Sequence, residues 1–287
     1  MVEILCPHCD DEIELDDDSS GVFACPYCEG EFEWNVDPAP SKSGGKAVDN
    51  SVFKPIKVEH EFKPAFTLMT AHLEPNESIK VEPGAMVAQS SDISISTGRA
   101  ISGGLAKGLF KAVVGGESFF LNTFTAGNSG GWISLAPSAP GDISTFNLAP
   151  GENLFLQGGA FMACSPNVEI DTKWQGVTNA VFGGEGLFFL RAFSQSGSGQ
   201  VFYHAYGAIK GIDVTPDTPI VVDTGHLVAF TEGVSYHTDI DGGWTSVFFS
   251  GEGIILQFSG EGKVWIQSRN LRALADTLYR AQSKFNN

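Results

Sequence analysis

A pattern of spaced residues occurs three times along the chain, and no other feature restricts the fold so tightly. A proline, a glycine and a threonine mark each copy: Pro75, Gly84 and Thr97; Pro150, Gly159 and Thr172; Pro216, Gly225 and Thr238. Nine positions separate proline from glycine in every copy, and thirteen separate glycine from threonine. Spacing this rigid marks tandem structural units. Apolar and polar residues alternate within each block, as in strands with one buried face. Pro75-Asn76, Pro150-Gly151 and Pro216-Asp217 supply a turn before each strand pair. The shared glycine predicts a backbone position with positive φ or a close approach. A second apolar run follows each block, at 116–121, 184–190 and 251–256, and each leads into a Gly-rich turn. The expected fold is mainly β: three tandem β units over 53–269, in a sheet closed with pseudo-threefold symmetry.

Two segments depart from the repeat. Nineteen positions separate Thr97 from Gly116, against twelve and thirteen in the later copies, so the first copy carries an insertion at 98–116. It holds Arg99, Lys107 and Lys111 and no acid. As a helix it would gather Ile101, Leu105, Leu109, Phe110 and Val113 on one face, the composition of an interfacial membrane helix. Its glycines weaken a free helix, and a plug packed over an open end of the sheet is the plainer reading. Arg99, Lys107, Phe110 and Lys111 are the candidate membrane or partner contacts. After the third copy, residues 270–287 predict a helix with Asn270 as N-cap and Leu271, Leu274, Ala275 and Leu278 on one face, docked as a cap.

Ahead of the repeat, residues 1–37 read as a zinc ribbon. Cys6-Pro7-His8-Cys9 and Cys25-Pro26-Tyr27-Cys28 are two knuckles fifteen residues apart, a spacing that places four thiolates around one Zn²⁺. Four protein ligands close the coordination shell, so the metal is structural. The ribbon also carries twelve acids and no Lys or Arg, which leaves 22 acids against 17 bases in the rest of a chain of net charge −17. Nucleic-acid binding draws on clustered cations, and the ribbon has none. Residues 38–52 are rich in Pro, Gly and Ser at their start and read as a flexible linker.

Other motifs reduce to repeat positions. Gly127-Asn128-Ser129-Gly130-Gly131 and Thr70-Ala71-His72 resemble protease signatures superficially, yet the first falls at a repeat turn, and His72 aligns with Asn147 and Asp213. The six histidines are scattered, with His204, His226 and His237 left as the set open to convergence in space. Cys164 aligns with Gln89 and Phe230 and reads as a small core or interface residue. Met1-Val2-Glu3-Ile4-Leu5 has neither a basic start nor an apolar stretch, and paired thiols imply a reducing compartment, so the expected location is cytoplasmic, with peripheral membrane association open.

The ending Trp265-Ile266-Gln267-Ser268-Arg269, together with Gly116-Glu117-Ser118-Phe119-Phe120 and the Gly84-Ala85-Met86-Val87-Ala88 strand, resembles the family named for altered inheritance of mitochondria, over roughly 55–270. The resemblance implies a fold like the trp RNA-binding attenuation protein, with strand-rich units in a double-stranded β-helix arrangement that tend to assemble in rings. It also implies a non-catalytic role in inner-membrane organisation for the mitochondrial members, and it brings no catalytic residues. The expected function is therefore a non-enzymatic, homo-oligomeric scaffold that offers its acidic ribbon to protein partners. The alternative is a small-molecule-binding or enzymatic barrel with a pocket near 98–116.

Overall fold

The computed structural model describes residues 53–97, 121–171, 189–194, 196–237 and 255–283 with their side chains, and otherwise the backbone of the strands and helix named below. The chain divides into two compact bodies, Met1–Val52 and Phe53–Asn287.

The first body contains two antiparallel hairpins of equal design. Strands β1 (Val2–Leu5) and β2 (Glu12–Leu15) pair so that Leu5 faces Glu12. Strands β3 (Gly21–Ala24) and β4 (Glu31–Trp34) pair so that Ala24 faces Glu31. Each hairpin thus encloses six residues, and a cysteine stands first and fourth in both connections. The four cysteines themselves lie outside the described residues.

The second body opens with β5 (Lys57–Glu61). The first repeat then supplies β6 (Leu68–Leu73), β7 (Ser78–Val81), β8 (Met86–Gln89), β9 (Ile93–Arg99), the short pair β10 (Val113–Val114) and β11 (Glu117–Ser118), β12 (Phe120–Ala126) and β13 (Gly131–Leu135). The second supplies β14 (Ile143–Leu148), β15 (Asn153–Gln157), β16 (Phe161–Cys164), β17 (Val168–Lys173), β18 (Phe189–Ser194) and β19 (Gly199–His204). The third supplies β20 (Ile209–Val214), β21 (Ile220–Asp223), β22 (Leu227–Thr231), β23 (Val234–His237), β24 (Ile255–Gly260) and β25 (Gly262–Gln267).

Setting aside the insertion pair, every repeat is wired identically. Its fifth strand pairs with its second and fourth: β12 with β7 and β9, β18 with β15 and β17, β24 with β21 and β23. Its sixth strand pairs with its first and third: β13 with β6 and β8, β19 with β14 and β16, β25 with β20 and β22. Successive repeats join through the third strand of one and the second strand of the one before. Ala163 of β16 faces Val81 of β7, and Ala229 of β22 faces Leu156 of β15. Two six-stranded sheets result, β14-β19-β16-β7-β12-β9 and β17-β18-β15-β22-β25-β20. The sequence predicts closure at a third junction as well. Among the described residues β8 and β21 do not pair; each ends its own sheet, β5-β6-β13-β8 and β21-β24-β23.

The core follows the junctions. One cluster unites Ile79, Val81 and Phe124 of the first repeat with Met162, Ala163 and Phe202 of the second. Another unites Leu154, Leu156 and Leu190 of the second with Val228 and Ala229 of the third. At the second junction Phe155 stacks on Phe230 at 5.1 Å, and Phe189 meets the same ring edge-on at 5.0 Å. Burial of each such side chain contributes about 1.5–3 kcal/mol. Cys164, in β16 opposite Lys80, is fully buried at the first junction.

Three expectations need adjustment. The C-terminal helix, α1 (Leu271–Phe285), starts as read: the Ala273 amide donates to Asn270 Oδ1 at 3.1 Å. It is not a docked cap, because Leu271, Leu274, Leu278 and Tyr279 are all exposed. Within the insertion, Val113 belongs to a strand and not to a helical face, since it pairs with Ser118. Arg99 closes β9 with its backbone opposite Phe120, while Lys107, Phe110 and Lys111 lie outside the described residues. The shared glycine has no common role either. Gly84 needs its positive φ of 92°, and a Cβ on Gly225 would collide with the Asn270 side chain. At Gly159 a Cβ would meet only Gln157 Oε1 at 3.5 Å.

Candidate functional site

Two buried polar residues, Thr67 and Asp142, stand where the chain enters a repeat. The connections there lie against one another in sequence order. The Thr67 amide donates to Gly141 O at 2.9 Å, the Asp142 amide to Gly207 O at 2.8 Å, and the Ser268 amide to Ala208 O at 2.9 Å. A parallel bridge joins Gly141 to Gly207. The column thus runs from the segment before β6, through the β13–β14 and β19–β20 connections, to the residues that precede α1.

Asp142 is the node of this column and is nearly buried. Its Oδ1 accepts from Thr67 Oγ1 at 3.0 Å and from the Ile143 amide at 2.9 Å, and Lys63 Nζ lies 3.1 Å away. Lys63 also donates to Ile143 O at 2.9 Å. Buried polar groups are retained at little cost when they are hydrogen-bonded, and Oδ1 of this carboxylate takes both backbone and side-chain donors. The carboxylate holds three chain segments together, and the hydroxyl bonded to it, Thr67 Oγ1, is spent as a donor to its Oδ1.

His60 approaches the same cluster from β5. Its Nε2 is buried without a hydrogen-bond partner. Burial lowers its pKa from the usual 6.5, and the nearby Lys63 adds to that shift. The folded state therefore holds His60 neutral where the unfolded chain takes up a proton. Its contribution to stability is present above about pH 6.5 and is lost as pH falls. Urea unfolding of His60→Gln should accordingly lose less stability than the parent between pH 7.5 and 5.5.

The remaining histidines stay apart. His204 Nε2 lies 3.6 Å from Glu82 Oε1, His226 Nδ1 contacts Gln267 O at 2.8 Å, and His72 Nε2 lies 3.4 Å from Glu59 Oε1. His237 ends β23 at the sheet edge. Among the described residues no three His, Cys, Asp or Glu side chains form a group fit to hold a metal ion. Ser129 sits in the β12–β13 turn, and His72 faces Trp132 and Lys57 across the sheet.

The Trp265–Arg269 ending has a structural explanation. Trp265 packs edge-on against Phe146 at 5.6 Å and Tyr203 at 6.0 Å. Gln267 accepts from the Tyr206 amide and donates to Gly225 O, both at 2.9 Å. Ser268 Oγ accepts from the Ala208 amide at 2.9 Å, and the Arg269 amide donates to Tyr206 O at 3.2 Å. Trp265, Gln267, Ser268 and Arg269 thus join the end of the third repeat to the second repeat and to the β19–β20 connection. The column was missed from sequence because Gly141, Asp142 and Gly207 lie in connections that the repeat spacing skips.

Among the described residues, no helix is long and apolar enough to cross a membrane.

Comparison with known proteins agrees with the fold and the motif. The chain is 31% identical over 220 residues to an uncharacterised protein of Streptococcus pyogenes serotype M6, covering 75% of this chain and 86% of that one. The crystal structure of a Streptococcus pyogenes protein solved by a structural genomics consortium superposes with a TM-score of 0.63 at 27% identity, covering 79% of this chain and 99% of that one. The model of the family described as mitochondrial biogenesis AIM24 matches residues 58–269, the three repeats with β5 and the ending at Arg269, and to that family this chain belongs.

Proposed function

We propose that this chain is a non-enzymatic scaffold of a reducing, cytoplasmic compartment. Its β body is a double-stranded β-helix-like stack of three pseudo-threefold-related repeats. It displays an acidic zinc ribbon to a protein partner and touches membrane peripherally through Arg99, Lys107, Phe110 and Lys111. The observation that supports this reading is the use made of four buried polar side chains in the β body. Thr67, Asp142, Ser165 and Gln200 bond to one another or to backbone amides of the framework. Catalytic sites instead aim such groups at a space for substrate.

Cys6, Cys9, Cys25 and Cys28 are the proposed ligands of one structural Zn²⁺. The two equal hairpins support this, since each has its cysteine pair at the same sequence positions between its strands. With twelve acids and no cation the ribbon suits a basic protein surface and not nucleic acid.

Two measurements test the proposal. Affinity capture with the full chain should recover a protein partner that is lost when residues 1–37 are deleted. Flotation with anionic vesicles should carry the protein, and the triple change Lys107→Glu, Phe110→Ser, Lys111→Glu should cut the bound fraction at least tenfold, each cation near such a surface contributing about 1 kcal/mol. A chain that neither floats nor recovers a partner would overturn the scaffold reading.

A further inference from the structure

We propose that helix α1 lies flat on an anionic lipid surface, with Leu271, Leu274 and Leu278 in the boundary between headgroups and acyl chains and its arginines among the phosphates. The inference rests on the peripheral-membrane part of the scaffold reading and deepens it, since it gives lipid contact a folded element and an orientation.

The rest of the chain does not account for the stability of α1. Fifteen residues are marginal as an isolated helix in water, and helices of this length draw most of their stability from an apolar face packed on a core. In α1 every residue from Leu271 to Ser283 is exposed. Leu271 is 53% exposed, Leu278 60% and Tyr279 74%, so the apolar face meets solvent. A contiguous apolar face with a polar rim marks a surface that another body covers.

The residues around the helix select that body. At 3.6 residues per turn, Leu271, Leu274, Ala275, Leu278 and Ala281 fall in one arc. Tyr279 and Arg272 follow each other at one border of the arc, Thr277 stands at the other, and Arg280 lies on the far side. Thr277 spends its hydroxyl inside the helix, on Ala273 O at 2.8 Å. Residues 269–287 hold Arg269, Arg272, Arg280 and Lys284 against one acid, Asp276, a formal charge of +3 in a chain of −17. A second α1 carries the same positive sign and repels the first. Nucleic acid matches the charge but leaves the leucines in water. An anionic bilayer surface satisfies both halves of the helix, because arginines at the rim reach headgroups while their stems stay over the apolar side. A bilayer core takes about 20 helical residues to cross, so α1, with 15, lies on the surface and does not span it.

Flotation of the full chain, combined with hydrogen exchange read by mass spectrometry, tests this. The parent should float with vesicles of mixed phosphatidylglycerol and phosphatidylcholine and stay behind with phosphatidylcholine alone. Leu274→Glu with Leu278→Glu alters two side chains already open to solvent. It should leave the melting of the β body unchanged and cut the bound fraction at least tenfold. Arg280→Glu with Lys284→Glu should cut it at least tenfold as well. On the mixed vesicles the amides of 271–283 should exchange at least tenfold more slowly than in the free protein. A leucine variant that floats like the parent, or protection confined to 98–116, would overturn the α1 contact and leave the other lipid contact standing. A solution mass that falls by half in the leucine variant without lipid would also overturn it, by placing a second copy on the face. A parent that stays behind with both vesicles would remove both lipid contacts, while partner capture by the ribbon is read separately.

Discussion

Addition of a strong chelator to the native protein should release one zinc ion per chain and expose four of its five thiols, with the fifth silent until the β body unfolds. The five cysteines divide this way for physical reasons. Cys164 is fully buried, and burial pushes its thiol up to about 12, so at neutral pH it presents no thiolate to a reagent. The other four lie in sequence between the paired four-residue strands of two hairpins. Two-stranded hairpins of that length are marginal in water without further support. Twelve acids within 37 residues repel one another and weaken them more. Binding of structural zinc supplies apparent free energies of about 10–16 kcal/mol in comparable peptides, enough to hold the body together and to be lost with the metal. Metal analysis and thiol titration before and after chelation check the result. A metal-free preparation with four protected thiols, or five thiols reactive from the start, would remove the ribbon from the account.

Gly141→Ala should be the most damaging single-methyl change in the β body. A Cβ at this position would collide with the carbonyl oxygen of Ala205, and the Gly207 amide stands close behind it. Neither neighbour is a flexible side-chain end. Both belong to the column in which Gly141 O accepts from Thr67 and the Asp142 amide donates to Gly207. Relief requires the β13–β14 and β19–β20 connections to separate, which strains the buried Asp142 node as well. Overpacking of this kind costs about 3 kcal/mol, or roughly 6–12 °C in Tm for a domain of this size. Gly159→Ala is the matched control. Its backbone is not in the left-handed region and its added methyl meets only Gln157 Oε1 at 3.5 Å, so calorimetry should place it within about 0.5 kcal/mol of the parent. Equal melting of the two variants would show that the connections do not form a rigid column.

Much of this architecture is legible in the sequence because the repeat carries its own ruler. The proline, glycine and threonine of each copy predict the strand pairs, and the structure wires all three alike. The alignment of His72 with Asn147 and Asp213 holds in space, since each is the fifth residue of its repeat's first strand. Helix α1 is legible from Asn270 and the leucine spacing, although the exposure of its leucines is not, because their spacing marks an apolar face without saying whether the chain itself covers it. The open junction is hidden for a related reason. Met86-Val87-Ala88-Gln89 and Phe161-Met162-Ala163-Cys164 have much the same pattern of apolar residues, and their burial differs only through their place in the order of repeats. Asp142 is invisible to any periodic reading, being the residue just before a strand. Its importance comes from three connections meeting there.

The offset between repeats has a consequence for how the protein is made. The hydrophobic cluster around the first repeat includes Met162, Ala163 and Phe202, and so draws on strands β16 and β19 of the second. A growing polypeptide cannot complete that first cluster until residue 202 has left the ribosome, some 67 positions after β13 has ended at Leu135. The first and second repeats each wait half-finished for a successor during translation. The first repeat to be synthesised is paired by β16 and its core completed by Phe202 of β19, and the nascent chain meanwhile presents unpaired apolar strands to whatever holds it.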